Sequence, residues 1–267
     1  MTKRNELSVQ ILLDALIQGI FESGSSFVVD GSLASEVGNC VDHDSTDIYS
    51  PEDLASNCYG EVPNHQLLDF GCGQGAYRDF LEKIGFHWRG CNYLEGMAEP
   101  ERAQVADWID VYNGITLPYD DDSFGVVFSF QVFEHCEHIS EVFSEIQRVL
   151  LPAGRLIGSV SYLEQAHDFS FYNLTPIGLK RLAESVGLRV CRLYPSYDVF
   201  TWFLRRLLVS TSGSDDNSLT ASLLRANQIH HKFLDYGRKH GQSIRNINLM
   251  RLMFSSQITF EIEKPLN

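Results

Sequence analysis

The chain has 267 residues, 44% of them hydrophobic and 12% aromatic, enough apolar material to bury a sizeable core and to exclude wholesale disorder. Its 35 Asp and Glu outnumber 21 Lys and Arg, and the net charge of −14 argues against stable nucleic-acid binding, which needs clustered cations against phosphate. The six cysteines form no C-x-x-C pair and no uninterrupted apolar run reaches the length of a membrane span, so neither a zinc site, a disulfide framework nor an integral membrane protein is expected, and the location is expected to be cytoplasmic.

In chain order, Leu7–Glu22 predicts an amphipathic helix rather than a signal peptide, because Asp14 and Gln18 interrupt its apolar run and no small-residue cleavage site follows. The Ser/Gly/Asp-rich stretch Ser23–Asn57 has little periodicity, so residues 1–65 read as a helix with a covering or lead-in segment. Residues 66–195 alternate short apolar runs with helical segments. Gln66–Phe70 reads as a buried strand, Gly75–Ile84 as a helix, His87–Tyr93 as a second strand and Phe124–Phe130 as a third. Val142–Leu151 is helical and stopped by Pro152-Ala153-Gly154; Arg155–Ser161 is a fourth strand. Thr175-Pro176 opens a helix that runs to Ser185, ahead of Gly187 and a strand over Leu188–Tyr194. This alternation predicts an α/β fold with a mostly parallel sheet covered on both faces. Residues 196–253 change character: from Val199 to Arg251 there are 8 Lys and Arg against 3 Asp and Glu, a surplus of +5 in an acidic chain. They read as a helical cap or insertion with a flexible link at Ser210–Ser218, suited to an anionic or lipid-like acceptor. Within 254–267, Gln257–Glu263 alternates apolar and polar residues as an edge strand would.

The chemistry centres on Leu67-Leu68-Asp69-Phe70-Gly71-Cys72-Gly73-Gln74-Gly75. A strand that ends in three glycines and opens a helix lets a ligand approach the backbone without Cβ clashes. Gly71-x-Gly73-x-x-Ala76 satisfies the dinucleotide fingerprint. Against a dinucleotide, Asp69 would repel a pyrophosphate and attract an ammonium group, and the third glycine comes one position early.

The same stretch resembles the first motif of the class I S-adenosylmethionine-dependent methyltransferases, and further segments follow in that family's order. Leu117-Pro118-Tyr119-Asp120-Asp121-Asp122-Ser123-Phe124, Gln131-Val132-Phe133-Glu134-His135, Glu145-Ile146-Gln147-Arg148-Val149-Leu150-Leu151-Pro152-Ala153-Gly154 and Phe171–Leu182 each resemble one of its segments, the last in its small-molecule type. The resemblance covers residues 66–195 and the terminal strand. It implies a Rossmann-like, doubly wound, mostly parallel seven-stranded sheet with an antiparallel edge strand and a helical insertion. It also implies S-adenosylmethionine as cofactor and methyl transfer to a small-molecule acceptor, with oxygen the first expectation and nitrogen and carbon acceptors left open. Asp69 then meets the methionine ammonium, and Gly71, Gly73 and Gly75 pass beside the methionine and ribose. Asn92 and Tyr93 fall at the ribose, with Glu95 as the alternative acceptor. Asn113 and Gly114 fall at the adenine, and Gln131 beneath the sulfonium. Three positions depart from the family pattern: Asn92 for a carboxylate, Gly125 for Asp, and Ala153 for Gly.

Methyl transfer asks mainly for alignment, with a base where the acceptor is oxygen. In Glu134-His135-Cys136-Glu137-His138, His135 is the candidate base and Glu134 its orienter, although such a Glu-His pair also anchors the following helix in this family. His135 and His138 could share a helix face but lack a third ligand, so no metal is expected. His167, Asp168 and Tyr172 are secondary candidates at the acceptor mouth. An RNA or protein methyltransferase, a nicotinamide-dependent oxidoreductase and a non-catalytic binding or assembly protein stay open as alternatives. The oligomeric state is not indicated.

Overall fold

The computed structural model describes residues 27–94, 108–212 and 227–266, together with Ile11, Ala15, Gly19 and Phe21. Its strands are β1 (Gln66–Phe70), β2 (His87–Asn92), β3 (Asp110–Val111), β4 (Phe124–Phe130), β5 (Leu150–Ser161), β6 (Arg189–Pro195) and β7 (Gln257–Glu263). Its helices are α1 (Gly31–Val37), α2 (Pro51–Cys58), α3 (Arg78–Ile84), α4 (Ile139–Val149), α5 (Pro176–Ser185), α6 (Val199–Ser212), α7 (Gln228–Lys239) and α8 (Ile244–Met253). Two compact units result: Met1–Thr46 with Leu163–Gln165 and Pro195–Ser256, and Asp47–Tyr162 with Ala166–Tyr194 and Gln257–Asn267.

The second unit is built on one seven-stranded sheet in the order β3-β2-β1-β4-β5-β7-β6. The pairs β2–β3, β1–β2, β1–β4 and β4–β5 are parallel, and β5–β7 is antiparallel from Arg155↔Glu263 to Ser161↔Gln257. The terminal strand therefore does not form the edge: β7 lies between β5 and β6, and burial of Gln257–Phe260 matches a strand flanked on both sides. Leu67, Leu68 and Phe70 on β1 and Phe124, Val126, Val127 and Phe128 on β4 are all buried. Continuous apolar runs of this kind belong to parallel strands covered on both faces. The winding reverses between β1 and β4, and that reversal opens the crevice where ligands bind in such sheets.

Local chemistry places the helices. The Ser50 hydroxyl accepts from Asp53 N at 3.1 Å while Asp53 Oδ2 accepts from Ser50 N at 2.9 Å, a capping box that with Pro51 starts α2 inside the stretch that lacked periodicity. Its Leu54, Ala55 and Cys58 pack with Leu67, Leu81, Val126 and Phe128. Thr175 Oγ1 accepts from Gly178 N at 3.0 Å and starts α5. On α4, Arg148 donates to the carbonyls of Tyr119 (2.8 Å) and Leu117 (3.1 Å) and pairs with Glu145, whose Oε2 accepts from Leu117 N at 2.8 Å. The loop ahead of β4 is thus clamped to α4.

Several elements start elsewhere than expected. The glycine turn continues to Tyr77 before α3 begins, so the expected helix over Gly75–Ile84 is shorter. Helix α4 spans Ile139–Val149 rather than Val142–Leu151, and β5 begins at Leu150 and carries Ala153 at φ 63°. Gly125 has a steric reason: a Cβ there would run into the carbonyl oxygen of Asn64. Of the helix expected over 7–22, positions 11, 15, 19 and 21 are described and helical. Helix α6 runs through Ser212, and the remainder of the expected link lies outside the described residues.

The first unit packs Ile229, Phe233, Ile247 and Met250 together with Phe21, Phe27 and Phe254. Arg251 is only 1% exposed; its Nη1 donates to Thr46 O and Asn248 Oδ1, each at 2.8 Å, while Asn248 Nδ2 donates to the carbonyls of Asp42 and Ser45. Arg245 Nε donates to Gly38 O at 2.6 Å, and Arg206 pairs with buried Glu164 at 3.3 Å. Four of the eight basic residues between Val199 and Arg251 are therefore engaged inside this unit, since Arg205 also lies over the Trp202 ring at 4.7 Å.

A non-glycine residue in the left-handed region costs about 1–2 kcal/mol, partly offset by the flexibility glycine brings to the unfolded chain. Ala153→Gly should accordingly stabilise the protein by up to about 1 kcal/mol, and Gly125→Ala should destabilise it. Denaturant midpoints read both, and a destabilised Ala153→Gly chain would refute the account of Ala153.

Candidate active site

The first strand delivers a carboxylate into the interior. Asp69, 3% exposed, accepts a hydrogen bond from Trp88 Nε1 at 3.0 Å, and burial pushes its carboxyl up to about 7. The dominant cause is loss of hydration, which disfavours the charged form. The electrostatically coupled neighbours, Cys72 and Tyr77, are themselves pushed up by burial and stay neutral at pH 7.

After Asp69 the backbone turns through Gly71, Gly73 and Gly75 at φ 76°, 56° and 76°. A Cβ on Gly71 would run into the Val132 side chain, so the turn lies flush against the chain leaving β4. Asn92 at the end of β2 holds the turn from the other side. Its Oδ1 accepts from Gly73 N at 3.0 Å and its Nδ2 donates to Gly73 O at 2.8 Å. The buried Cys72 thiol lies 3.6 Å from the same Oδ1. Both ends of the amide are engaged with the loop, a two-sided clasp that a carboxylate could not make because it has no donor.

Around the end of β3, Asn113 Oδ1 accepts from Ile115 N (3.0 Å) and Thr116 N (2.7 Å), which closes an Asx turn. Gly114 at φ 85° comes close enough that a Cβ would touch the Tyr93 ring, and Tyr93 leans on Tyr112 at 5.6 Å. Ile115 in this turn is exposed, and so is Trp108 ahead of β3. Trp108 packs edge-on against Trp88 and beneath Arg78, whose guanidinium lies 4.6 Å from its ring. Glu95 lies outside the described residues.

Past β4, Gln131 sits at φ 57° with Nε2 donating to Ser159 Oγ at 3.0 Å. Ser161 Oγ lies 3.0 Å from Glu134 Oε1 and 3.4 Å from Gln131 Oε1. Glu134 is buried, and its carbonyl accepts from Phe171 N (2.7 Å) and Tyr172 N (3.3 Å). The loop after β5 is thereby tied to the turn after β4, with a further bond from Tyr172 Oη to Glu137 O at 2.8 Å. This brings the His167 ring to 5.1 Å from that of His135, nearly perpendicular to it. His138 stands exposed at the N-cap of α4, and Asp168 is exposed at φ 44°.

Two groups of expected residues thus meet at the Gly71–Val132 contact, Asp69, the glycine turn and Asn92 on one side and Gln131, Glu134 and His135 on the other, while Tyr93, Asn113 and Gly114 form a third around the end of β3. Trp88, Trp108, Ser159 and Ser161 were not foreseen. The two serines, alternating at the buried end of β5, were a signal open to sequence reading.

A family model described as a methyltransferase domain matches residues 68–158. Those residues form a class I methyltransferase domain. The chain is 34% identical over 147 residues, 51% of its length, to a protein of Mycolicibacterium smegmatis named "Probable S-adenosylmethionine-dependent methyltransferase", of which the match covers 55%. It is 34% identical over 109 residues, 38% of its length, to the sterol 24-C-methyltransferase ERG6B of Gibberella zeae, covering 28% of that protein. It therefore spans from about a quarter to about half of these relatives. The methyltransferase domain and what surrounds it share their fold with the 4+2 cyclase SpnF, at TM-score 0.51 and 16% identity over 88% of this chain and 93% of that one. S-adenosylmethionine is the cofactor of this domain type, and the residues fit it: the turn accommodates a ligand against bare backbone, and the buried Asp69 carboxylate is suited to a cationic amine. The turn ends in a helix of only 7 residues, a poor seat for a pyrophosphate.

With its carboxyl raised from 3.8 to about 7, folded Asp69 keeps a proton that the unfolded chain releases. Stability from this group is therefore full below pH 4 and is lost as pH rises from 4 to 7, by on the order of 4 kcal/mol at most. Asp69→Asn keeps an acceptor for Trp88 and removes the charge. It should melt at a higher temperature than wild type at pH 8, with the gap closing toward pH 4; a gap independent of pH would contradict the assignment.

Proposed function

We propose that this chain transfers a methyl group from S-adenosylmethionine to an oxygen atom of an apolar, hydroxyl-bearing small molecule. The observation that carries the reading is the poorly compensated carboxylate of Asp69 at the reversal of the sheet, beside a turn of left-handed glycines. In this reading Asp69 binds the cofactor's ammonium, and the Gly71–Gly75 backbone lies along its methionine and ribose. Tyr93, Gly114 and the exposed Ile115 offer an apolar face for adenine. Asn92 acts by holding Gly73 in place rather than by a carboxylate's two acceptors. The cofactor supplies a methyl group on a positively charged sulfur. The protein's part is to align an acceptor oxygen with it and to ease the loss of that oxygen's proton.

Glu134, His135 and His167 are the groups proposed to act on the acceptor hydroxyl, with Gln131 lining the approach. The exposed Phe169, Phe171 and Tyr172 favour an apolar acceptor. An anionic acceptor loses support from the engagement of Arg205, Arg206, Arg245 and Arg251 within their own unit. The sterol relative is named for transfer to carbon, so oxygen rests here on the histidine pair.

Calorimetry against S-adenosylmethionine and S-adenosylhomocysteine, with NADH as control, should give micromolar binding of the first two and none of the third. Gly71→Ala should abolish that binding in a folded chain. His135→Asn should lower turnover about 10²–10⁴-fold while leaving cofactor affinity unchanged. Failure of both sulfur ligands to bind a folded wild-type chain would favour a non-catalytic role.

A further inference from the structure

Outside the cofactor groove, the densest set of metal-ligating side chains among the described residues is Glu134, His135 and His167. One ligand atom from each lies within 4.8 Å of the other two. We propose that these three residues bind a divalent first-row transition metal ion, such as Zn²⁺ or Mn²⁺, and that the ion activates the acceptor oxygen. The inference rests on the function proposed above and supplies its means.

Three observations carry it. The first is reach: metal–nitrogen bonds near 2.1 Å at tetrahedral angles set ligand atoms about 3.4 Å apart, so small rotamer adjustments close the set. The second is donor chemistry. Two imidazoles and one carboxylate suit zinc, manganese or iron better than magnesium or calcium, and three protein ligands leave positions open for a substrate atom. The third is support. Ser161 Oγ, 3.0 Å from Glu134 Oε1, orients the carboxylate, and the bonds from Phe171 N and Tyr172 N to the Glu134 carbonyl fix the loop that carries His167. The His167 backbone is held further by its amide N–H, which donates to Ser170 Oγ at 3.2 Å, and by its carbonyl, which accepts from Ser170 N at 3.0 Å. A hydrogen bond to a ligating carboxylate, as from Ser161, accompanies metal sites, and the backbone bonds set the loop position.

The third ligand is not the neighbour in sequence. His138 faces solvent at the N-cap of α4, whereas His167 arrives from the loop after β5. An acceptor hydroxyl coordinated to the ion would lose its proton to solvent more readily, because the ion's charge stabilises the resulting anion. The oxygen then forms its bond to the methyl carbon as the carbon–sulfur bond breaks, with the electron pair of that bond staying on sulfur.

The test uses the full chain dialysed against a chelator and titrated with Co²⁺, read by its visible absorption bands, and with Zn²⁺ by calorimetry. One equivalent should bind. His135→Ala and His167→Ala should each lower affinity at least tenfold, Ser161→Ala about tenfold, and His138→Ala not at all. Unfolding transitions of each variant confirm that it is folded. No binding of either ion, or binding that survives His167→Ala, overturns the site and leaves the three groups as a hydrogen-bonded cluster. S-adenosylhomocysteine binding is measured on the same metal-free protein: if it is retained where no ion binds, the metal site alone fails. If an ion binds and S-adenosylhomocysteine does not, the methyltransferase reading fails and the site stands.

Discussion

Asp69 carries its carboxyl into the interior at the end of β1 with Trp88 Nε1 as its hydrogen-bonding side chain, and the rest of the site is arranged around that burial. A buried carboxylate without a cation is costly, and here the cost appears as a carboxyl held protonated far above its ordinary range. In the function proposed above, the arrangement trades stability of the free chain for affinity toward a positive ligand, a trade that recurs at binding sites. Trp88 serves both ends of it: the indole N–H steadies the carboxyl, and its ring backs Trp108 and the glycine turn.

Much of this was legible in the sequence because each motif does local physical work. The strand–glycine–helix order, the Thr175-Pro176 helix start and the long apolar run of β4 all appear where residue type predicts them. The Leu117–Phe124 and Glu145–Gly154 segments were visible only as separate family motifs, with no sign that they meet. The structure joins them, since one ion pair on α4 holds the backbone of the loop that leads into β4.

What sequence reading missed depends on contacts between distant segments. Gly125 stood out only as a departure from the family's Asp, and the approach of Asn64's carbonyl explains it. Asn92 looked like a weakened ribose ligand, and its donor end turns out to have a partner across the glycine turn. Basic residues between Val199 and Arg251 looked like a surface, but Arg251 is a core residue that satisfies carbonyls of residues 46 and 248 and their surroundings from within. Linear spacing pointed from His135 to His138, whereas a chain crossing supplies His167. The short α1 and α2 escaped periodicity because each is too brief to show a repeat, although the Ser50-Pro51-Glu52-Asp53 start of α2 was readable.

The antiparallel pairing of β5 with β7 has a consequence for how the polypeptide is made. All of Pro195–Ser256, a substantial part of the other unit, is translated between those two strands. While the ribosome is completing that stretch, β5 has β4 on one side and an open edge of peptide groups on the other. Closing so long a loop is entropically slow, and pairings of this reach delay folding. The nascent chain therefore passes through an interval in which the β5 edge of its central sheet is open to wrong partners.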